Sequence, residues 1–225
     1  MCGRFTLKTP SRDIATLFDD LSIPSLTPRY NICPTQHVLS VRQSKNGENE
    51  AVNLRWGLVP FWAKELKVGA RMINARSETV ATKPSFRAAF KSRRCLVVAD
   101  GFYEWKKEGK QKQPYYISRR DNGPFCLAGL WESWSDKTSS SPETIETCTI
   151  LTTQANAFMQ PLHDRMPVIL PSDQFDFWLD RDFSDVEQLE QLLVPLETDD
   201  LQTYPVDQLV NRPINDTPQC IVPIT

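Results

Sequence analysis

The segment Cys-Leu-Val-Val-Ala-Asp-Gly-Phe-Tyr-Glu-Trp, residues 95–105, begins with five consecutive apolar residues. A short continuous apolar run that contains β-branched residues is typical of a strand with both faces buried. We therefore expect residues 95–99 to form a central strand of a β-sheet. The segment then leads into a cluster of aromatic residues in which Glu104 lies between Tyr103 and Trp105.

Further strand-like segments lie on both sides of this run. Runs of β-branched and aromatic residues recur there between polar turns, which is typical of strands. The segments are residues 3–7, 38–42, 51–57, 115–119, 125–131 and 147–152. Because hairpin-like connections separate the later ones, we expect a largely antiparallel set of strands.

Helical signals at the start of the chain are short. Thr9 and Pro10 are typical of an N-cap and a first helical position. The apolar residues that follow at helical spacing are Ile14, Leu17, Phe18 and Leu21. This pattern predicts an amphipathic helix that ends before Pro24. A second, basic helix is expected over residues 83–91.

The last quarter of the chain predicts two more helices and then an extended tail. One helix is expected to start at Ser172 and the other at Ser184, where Glu187 stands at the position that completes a capping box. Residues 203–225 are interrupted by several prolines. We expect this tail to be extended.

The length and composition of the chain are those of a globular protein. A chain of 225 residues, 40% hydrophobic and 24% charged, can bury a substantial core, and we expect a single domain over residues 1–225. No apolar segment approaches the ~20 residues that span a bilayer. We therefore expect a water-soluble protein with no membrane association. We also expect a monomer.

The cysteines and histidines limit the compartment and the chemistry. Six cysteines are spread widely, without a Cys-x-x-Cys pair, at positions 2, 33, 95, 126, 148 and 220. The first thirty residues also lack the apolar run of a signal peptide. These features favour a reducing cytoplasm in which the later cysteines are buried thiols. Because the chain has only His37 and His163, we expect no metal site, and we expect no cofactor.

The net charge of −2 conceals two opposed halves. Residues 1–120 contain 22 Lys and Arg against 10 Asp and Glu, whereas residues 121–225 contain 4 against 18. In the basic half, cations alternate with aromatic residues, for example around Trp62 and Trp105. A groove for single-stranded nucleic acid needs this combination, with cations for phosphates and rings for bases. The alternative is that the charges solvate the surface while the aromatics fill the core.

Cys2 carries the most distinctive chemistry of the chain. If Met1 is removed, as a small second residue generally permits, Cys2 becomes the N-terminus and carries an amine and a thiol on adjacent carbons. Both groups titrate close enough to neutral pH for a fraction of each to be reactive. The amine can capture an aldehyde as an imine, and the thiol can then close a five-membered thiazolidine ring. The alternative is a small hydrophobic residue without a chemical role.

Two further residues are candidates for proton transfer. Glu104, directly beyond the predicted central strand and between two aromatics, could exchange protons during imine formation. Its alternative is a glutamate on a strand edge at the surface. His163 could be a second acid or base, oriented by Asp164, although a lone histidine is more often structural.

The segment around residue 74 offers a polar pair. Asn74 could orient the electrophile, or it could simply close a turn. Arg76 would lie on the same face as Asn74 if the segment is extended, because alternate residues of a strand share a face. Its guanidinium is suited to bidentate contact with a phosphate.

Taken together, these segments resemble the SRAP (SOS-response-associated peptidase) family. The resemblance covers essentially the whole chain, from residue 2 to residue 223. It is carried by long, ordered segments, which are Met1-Cys2-Gly3-Arg4-Phe5, Arg29-Tyr30-Asn31, Arg55-Trp56-Gly57-Leu58 with Pro60, residues 73–79, residues 95–105, and His163-Asp164-Arg165-Met166-Pro167.

The resemblance implies a sensor of abasic sites in single-stranded DNA, acting in the DNA damage response. Such a protein joins its N-terminus to the ring-opened sugar as a thiazolidine, and lyase or peptidase-like autoproteolytic activity is a further expectation. The implied catalytic residues are Cys2, Asn74, Glu104 and His163. The implied DNA contacts are Arg4, Arg76, Trp62, Trp105 and Pro34. We expect the protein in the cytoplasm, associated with the nucleoid when it is bound to DNA.

By the same resemblance, the fold class is α+β, with a mostly antiparallel, partly closed, barrel-like β core and short peripheral helices. Two other functions stay open. One is an N-terminal-nucleophile amidohydrolase or cysteine peptidase, since class II glutamine amidotransferases also begin Met-Cys-Gly. This chain lacks their Arg-Gly-Pro-Asp element. The other is a non-catalytic reader of single-stranded DNA, in which Cys2 would have no chemical role.

Overall fold

The structure is a computed structural model that describes residues 2–109, 111–138, 141, 143–197 and 199–224. Its strands are β1 Phe5–Leu7, β2 Arg29–Ile32, β3 His37–Gln43, β4 Asn49–Trp56, β5 Asn74–Arg76, β6 Arg94–Ala99, β7 Gly101–Glu108, β8 Gln111–Arg119, β9 Phe125–Ser135, β10 Thr144–Gln154, β11 Arg165–Pro167, β12 Ile169–Leu170 and β13 Leu201–Pro205. Its α-helices are α1 Ser11–Ala15, α2 Ser77–Val80, α3 Arg87–Ser92, α4 Phe175–Leu179 and α5 Val186–Gln191.

Five strands close into a barrel. Strand β6 pairs with β3 and β9, β3 pairs with β4, and β9 pairs with β10, all antiparallel. A parallel pairing of β4 with β10, through Arg55 opposite Thr147 and Trp56 opposite Cys148, completes the ring. Every residue of β6 is buried, which confirms the predicted central strand. The α+β fold class with a barrel-like core is also confirmed.

A second, five-stranded sheet carries the N-terminal segment. Its strand order is β13-β8-β7-β1-β2, so the three-residue strand β1 lies between β7 and β2. Phe5 is opposite Phe102 on one side and Ile32 on the other. The register continues beyond the strand, because the Tyr103 N–H donates to the Arg4 carbonyl at 3.0 Å. The antiparallel direction therefore brings Cys2 toward Glu104.

Parallel pairing occurs at a second place. Strand β5 pairs with β10 in parallel, with Asn74 opposite Ile150 and Arg76 opposite Thr152. The prediction of a largely antiparallel set is confirmed, with exceptions at β10, which has parallel neighbours in β4 and β5. Strands β4 and β5 follow each other along the edge of β10 that is opposite β9, and parallel pairings of this kind need connections longer than a hairpin turn.

The helices begin and end at residues other than those predicted. Helix α1 ends at Ala15, so Leu17 and Phe18 lie in a following 3-10 helix, Thr16–Phe18. The basic helix starts at Arg87 rather than at residue 83. The cap of α5 is not Ser184, because the Asp185 carboxylate accepts from the Glu187 and Gln188 N–H groups. Both residue types cap helices well, so the sequence alone does not separate them.

The C-terminal segment is not simply extended. It contains 3-10 helices at Gln208–Asn211 and Pro218–Ile221, so the prediction of an extended tail is wrong there. Pro218 stands in the first turn of the second helix, where its missing N–H is not needed. The Asp207 carboxylate caps the other by accepting from the Leu209 N–H.

The five later cysteines are buried free thiols, as predicted, and Cys2 is a buried free thiol as well. Burial raises the pKa of the Cys95, Cys126 and Cys148 thiols because it disfavours the thiolate. In the described ranges, no helix is both long and apolar enough to cross a bilayer.

Two glycines permit a close backbone crossing that leads toward β5. Gly57 has φ +125°, and a Cβ there would lie 2.6 Å from the Gly69 carbonyl oxygen. A Cβ on Gly69 would in turn lie 2.3 Å from the Gly57 carbonyl oxygen. Next to this crossing, the Leu58 N–H donates to the Met72 carbonyl at 3.1 Å. The crossing therefore sets where the chain enters β5, which carries Asn74.

We predict that Gly57→Ala destabilises the protein far more than Gly47→Ala. Gly47 also has a positive φ, +86°, but open space surrounds the position of its Cβ. The Gly47→Ala control should therefore lower the free energy of unfolding only by the left-handed backbone strain, about 1–2 kcal/mol. Gly57→Ala adds a backbone clash, so a loss of at least about 3 kcal/mol is expected. Urea unfolding followed by tryptophan fluorescence measures both, and equal losses would contradict the crossing.

Candidate functional site

Cys2 lies in the core, next to the buried carboxylate of Glu104. Its side chain is fully buried, and its Sγ lies 3.9 Å from the Arg4 carbonyl oxygen. Burial raises the pKa of the Cys2 thiol, and the negative charge of Glu104 raises this pKa further. The thiol therefore keeps its proton at neutral pH, and a nearby group must accept this proton before the sulfur can react.

Glu104 is not a surface residue. It lies on β7, opposite Tyr115 of β8, and only 3% of its surface is exposed. The alternative of a solvated glutamate on a strand edge is therefore wrong. A carboxylate held in the interior beside a thiol is suited to transfer protons, because its position is fixed and water is excluded.

Asn74 holds the backbone of the N-terminal segment. Its Nδ2 donates to the Cys2 carbonyl oxygen at 2.8 Å, between residues 72 positions apart in the chain. The Asn74 Oδ1 is buried and accepts no hydrogen bond from the part of the chain that the structure describes. Asn74 belongs to β5, so the alternative of a turn residue is wrong. The Asn74 Nδ2 thus fixes the Cys2 backbone, while the Oδ1 remains available as a hydrogen-bond acceptor.

His163 lies just before β11, which pairs with the C-terminal end of β10. Arg76 of β5 pairs with the same end of β10. Its Nδ1 lies 2.9 Å from the Arg165 backbone nitrogen and 2.7 Å from Asp164 Oδ1. These contacts belong to different protonation states. The neutral ring accepts from the Arg165 N–H at Nδ1, whereas the protonated ring donates to Asp164. The predicted contact with Asp164 is present.

Arg165 fastens this segment to α2. Its guanidinium donates to Glu78 Oε1 at 2.5 Å and Oε2 at 3.1 Å, and to the Thr152 carbonyl oxygen at 2.5 Å. The hydrogen bond from Arg165 lowers the pKa of the Glu78 carboxyl. We did not single out Glu78 from the sequence, although it lies within the segment at residues 73–79. The pair joins the segment of His163 to the segment of Asn74.

Arg4 borders an open groove of about 430 Å³. Its Nη1 donates to Asn31 Oδ1 at 2.9 Å and to the Val210 carbonyl oxygen at 2.6 Å. The groove is lined by Gly3, Arg4, Pro34, Trp105, Lys112 and Asn211. Trp105 is held in place by a bond from its Nε1 to Asn211 Oδ1, 2.7 Å long. Three residues predicted to contact DNA, which are Arg4, Pro34 and Trp105, therefore line the same groove. Lys112 also lines it and was not predicted from the sequence.

Asn31 and Asp216 hold the wall of the groove in place. The buried Asn31 amide nitrogen donates to the carbonyl oxygens of Val210, Arg212 and Asn215. The Asp216 carboxylate accepts from the Asn31 N–H at 2.9 Å and forms an ion pair with Arg29. The C-terminal segment is thereby fixed against β2, which places the backbone carbonyls that orient Arg4.

The two other predicted DNA contacts lie outside this groove. Trp62 is 50% exposed, next to Phe61, which is 53% exposed, in the loop after β4. Arg76 is exposed on β5, two residues beyond Asn74.

The expected removal of Met1 concerns a residue that lies outside the described ones. Among the residues that are described, no group of three His, Cys, Asp or Glu side chains is placed to hold a metal ion.

Comparison with known proteins identifies relatives over the full length. The profile of the SOS response associated peptidase (SRAP) family matches residues 1–213. Abasic site processing protein YoaM of Bacillus subtilis is 43% identical over 225 residues, covering 98% of this chain and 97% of its own. Abasic site processing protein HMCES of Gallus gallus is 34% identical over 206 residues, covering 81% of this chain and 60% of its own. A crystal structure of a protein from Bacteroides thetaiotaomicron has a TM-score of 0.87 at 26% identity, and covers 100% of both chains.

We predict that Glu78→Gln destabilises the protein at neutral pH and that the difference disappears in acid. Glu78 is 43% exposed and Arg165 11%, so solvent screening limits the loss to about 1 kcal/mol. Because the pKa of Glu78 is lowered in the folded protein, its stabilising effect is present above the ordinary value of 4.5 and is lost as the pH falls below it.

Urea unfolding of both proteins between pH 3 and pH 7 tests this expectation. Glu65→Gln is the matched control, because Glu65 pairs with Lys67 at 2.5 Å but both side chains are more than half exposed. The control should change stability by no more than a few tenths of a kcal/mol, about the value of an exposed pair. A Glu78→Gln effect that stays constant down to pH 3 would contradict the role given to this ion pair.

Proposed function

The chain belongs to the SOS response associated peptidase (SRAP) family, and we propose that it captures abasic sites in single-stranded DNA as a covalent adduct of Cys2. The relatives named abasic site processing proteins, in a bacterium and in a vertebrate, support this proposal. One structural observation carries it. The Asn74 amide binds the Cys2 carbonyl at 2.8 Å while Cys2 lies next to the buried Glu104.

The first step is imine formation. Removal of Met1 frees the α-amine of Cys2, whose lone pair attacks the C1′ aldehyde of the ring-opened deoxyribose. The new C–N bond forms as the carbonyl π electrons move to oxygen, which takes a proton and gives a carbinolamine. Loss of the hydroxyl as water, with a proton supplied by Glu104 or His163, leaves the imine. The nitrogen loses its remaining extra proton in the same exchange.

The second step is ring closure. The Cys2 thiol gives its proton to a nearby base, and Glu104 is suited to accept it. The sulfur then forms a bond to the imine carbon, the π electrons move to nitrogen, and the nitrogen takes a proton. The product is a thiazolidine, with no oxidant or reductant needed. Since the raised pKa of the buried thiol keeps the sulfur protonated, ring closure depends on this acceptor.

Asn74 serves this chemistry by position. Its Nδ2 fixes the Cys2 backbone, and its buried Oδ1 can accept a hydrogen bond from the Cys2 amine or from a hydroxyl of the sugar. Holding the amine against the aldehyde converts an encounter of two molecules into a local reaction, which is a large part of many rate enhancements.

The DNA strand is proposed to lie along the groove at Arg4 and past Arg76. Arg4 uses Nη1 for Asn31 and Val210, and its Nη2 donates to the Asn211 carbonyl oxygen at 3.5 Å, so the guanidinium is held at the border of the groove. Trp105 and Pro34 provide flat apolar surface in the same groove, and the exposed Trp62 offers a further ring for a base. Cations for phosphates and rings for bases are the requirements of single-strand binding.

We predict that Cys2→Ser still captures the aldehyde but does not form a stable ring. The variant keeps the α-amine, so borohydride should trap its imine with an abasic oligonucleotide. Without borohydride, heat should release the DNA from the variant and not from the wild type, because a hydroxyl closes this ring far less readily than a thiol. Denaturing gel electrophoresis of the mixtures measures both products. Methionine aminopeptidase treatment and intact mass measurement control for the N-terminus.

Two outcomes of this experiment would overturn the proposal. If Cys2→Ser forms adducts as heat-stable as those of the wild type without reductant, the thiazolidine is wrong. If the wild type forms no adduct but hydrolyses a peptide or amide substrate, the N-terminal-nucleophile hydrolase would be the better reading of Cys2.

We also predict that Glu104→Gln and His163→Ala slow adduct formation without weakening DNA binding. Loss of a general acid or base typically costs about 10²- to 10⁴-fold in a rate-limiting step. Single-turnover cross-linking gives the rate, and fluorescence anisotropy on undamaged single strands gives the affinity. Glu108→Gln, on the exposed end of the same strand β7, is the matched control and should react at the wild-type rate. Wild-type rates for both test variants would remove these residues from the mechanism.

A further inference from the structure

Three cations form a row at the corner between α2 and α3. Lys83, Arg87 and Lys91 are all exposed, and we call them the basic corner. The Arg87 N–H donates to the Lys83 carbonyl at 2.9 Å, so successive members lie about one helical turn apart. Residues four apart on a helix place their Cβ atoms about 5–6 Å from each other. The three side chains therefore extend from one side of the corner.

The corner encloses an open cavity of about 570 Å³. Its lining comes from the end of α2 and from α3, and consists of Ala81, Thr82, Arg87, Ala88 and Lys91. Two of these lining residues are cations, Arg87 and Lys91, and the other three have small side chains. A phosphate group in this cavity can therefore contact both cations.

The neighbouring cations of the same segment are used within the fold. Arg93 forms an ion pair with Glu132 at 2.9 Å, and Arg94 donates to backbone carbonyls that include those of Phe90 and Lys91. By contrast, no carboxylate in the described ranges forms a salt bridge with any member of the basic corner. The positive charge at the corner is thus left for a partner outside the chain.

The basic corner continues directly from the candidate site. Helix α2 starts at Ser77, the residue after Arg76, and ends three residues before Lys83. The nearest carboxylate of α2, Glu78, is engaged by Arg165 and does not neutralise the row. The segment that follows Arg76 in the sequence therefore carries further exposed positive charge.

We propose that the basic corner binds the sugar–phosphate backbone of the DNA strand on one side of the captured nucleotide. The inference rests on the proposed function for its location, and it adds a contact with the strand that flanks the lesion. Arg87 can bind a phosphate with two N–H groups, and Lys83 and Lys91 act as point charges. Contacts of this kind are independent of base sequence and weaken as salt is added. The groove at Arg4 shares no lining residue with this cavity.

Affinity for undamaged DNA gives the first test. The probe is a fluorescein-labelled oligothymidylate of about 20 nucleotides, longer than a typical single-strand site of ~4–16. Fluorescence anisotropy over a series of salt concentrations compares Arg87→Ala/Lys91→Ala with the wild type. Two lost phosphate contacts should reduce the slope of log affinity against log salt by about 1.4 and weaken binding by about tenfold at 0.1 M salt.

The matched control is Lys45→Ala/Lys137→Ala. It also removes two positive charges, but from the exposed turns that follow β3 and β9, where no contact with DNA is proposed. The control should keep the wild-type slope. If the two double variants change the slope equally, or if neither changes it, the basic corner does not bind DNA and the inference is overturned.

Cross-linking gives the second test and shows direction. Two abasic oligonucleotides are compared, one with its long flank on the 5′ side of the lesion and one on the 3′ side. At limiting protein, Arg87→Ala/Lys91→Ala should cross-link one of them about tenfold less than the wild type does, and the other as well as the wild type does. An equal loss on both would overturn a contact on one side only.

These results separate the inference from the proposed function. If Arg87→Ala/Lys91→Ala has a smaller salt slope than the wild type but no protein cross-links abasic DNA, the basic corner is supported as a DNA contact and the proposal of covalent capture is wrong. If all proteins cross-link equally and share one salt slope, the capture stands and the basic corner fails. If the wild type neither binds oligothymidylate nor cross-links abasic DNA, both fail.

Discussion

The placement of strand β1 is the constraint on which the site depends. The buried Asp100 carboxylate accepts hydrogen bonds from the Lys8 N–H, and from the Thr9 N–H at 3.0 Å and the Thr9 hydroxyl at 2.6 Å. It thereby fixes the end of β1 that is distant from Cys2. The Thr6 hydroxyl, 2.8 Å from the Tyr116 hydroxyl, fixes its middle. Because a slip of one residue turns every side chain of a strand to the opposite face, these contacts decide which residue stands beside Glu104.

The opposed charges of the two halves of the chain have a structural meaning. Several cations of the first half are neutralised by carboxylates from the second, among them Arg29 by Asp216, Arg42 by Glu146 and Arg93 by Glu132. These pairs join distant segments around the sheets. The exposed cations without such partners include Arg76 and the three members of the basic corner. The fold thus uses part of the positive charge of the first half to join distant segments and leaves another part exposed.

The sequence predicted the central strand and the fold class because their signals are local. The apolar run at residues 95–99 predicts burial without knowledge of its strand partners, and the candidate site residues were predicted from the family resemblance. The parallel pairing of β5 with β10 had no local signal, since it joins residues more than seventy positions apart. The same holds for Asn31 and Asp216, whose importance comes from contacts with segments about 180 residues away. Glu104 on β7 was ambiguous because burial depends on the opposite sheet.

The bond from Arg4 to the Val210 carbonyl joins residues 206 positions apart. During synthesis, Arg4 leaves the ribosome about 200 residues before the carbonyl that orients it, and Trp105 leaves about 100 residues before the Asn211 amide that holds it. A nascent chain can therefore pair β1 with β7 long before the wall of the groove is present. The segment of Cys2 is made early, whereas the contacts that shape the groove beside it form only after the segment of residues 208–216 has been translated.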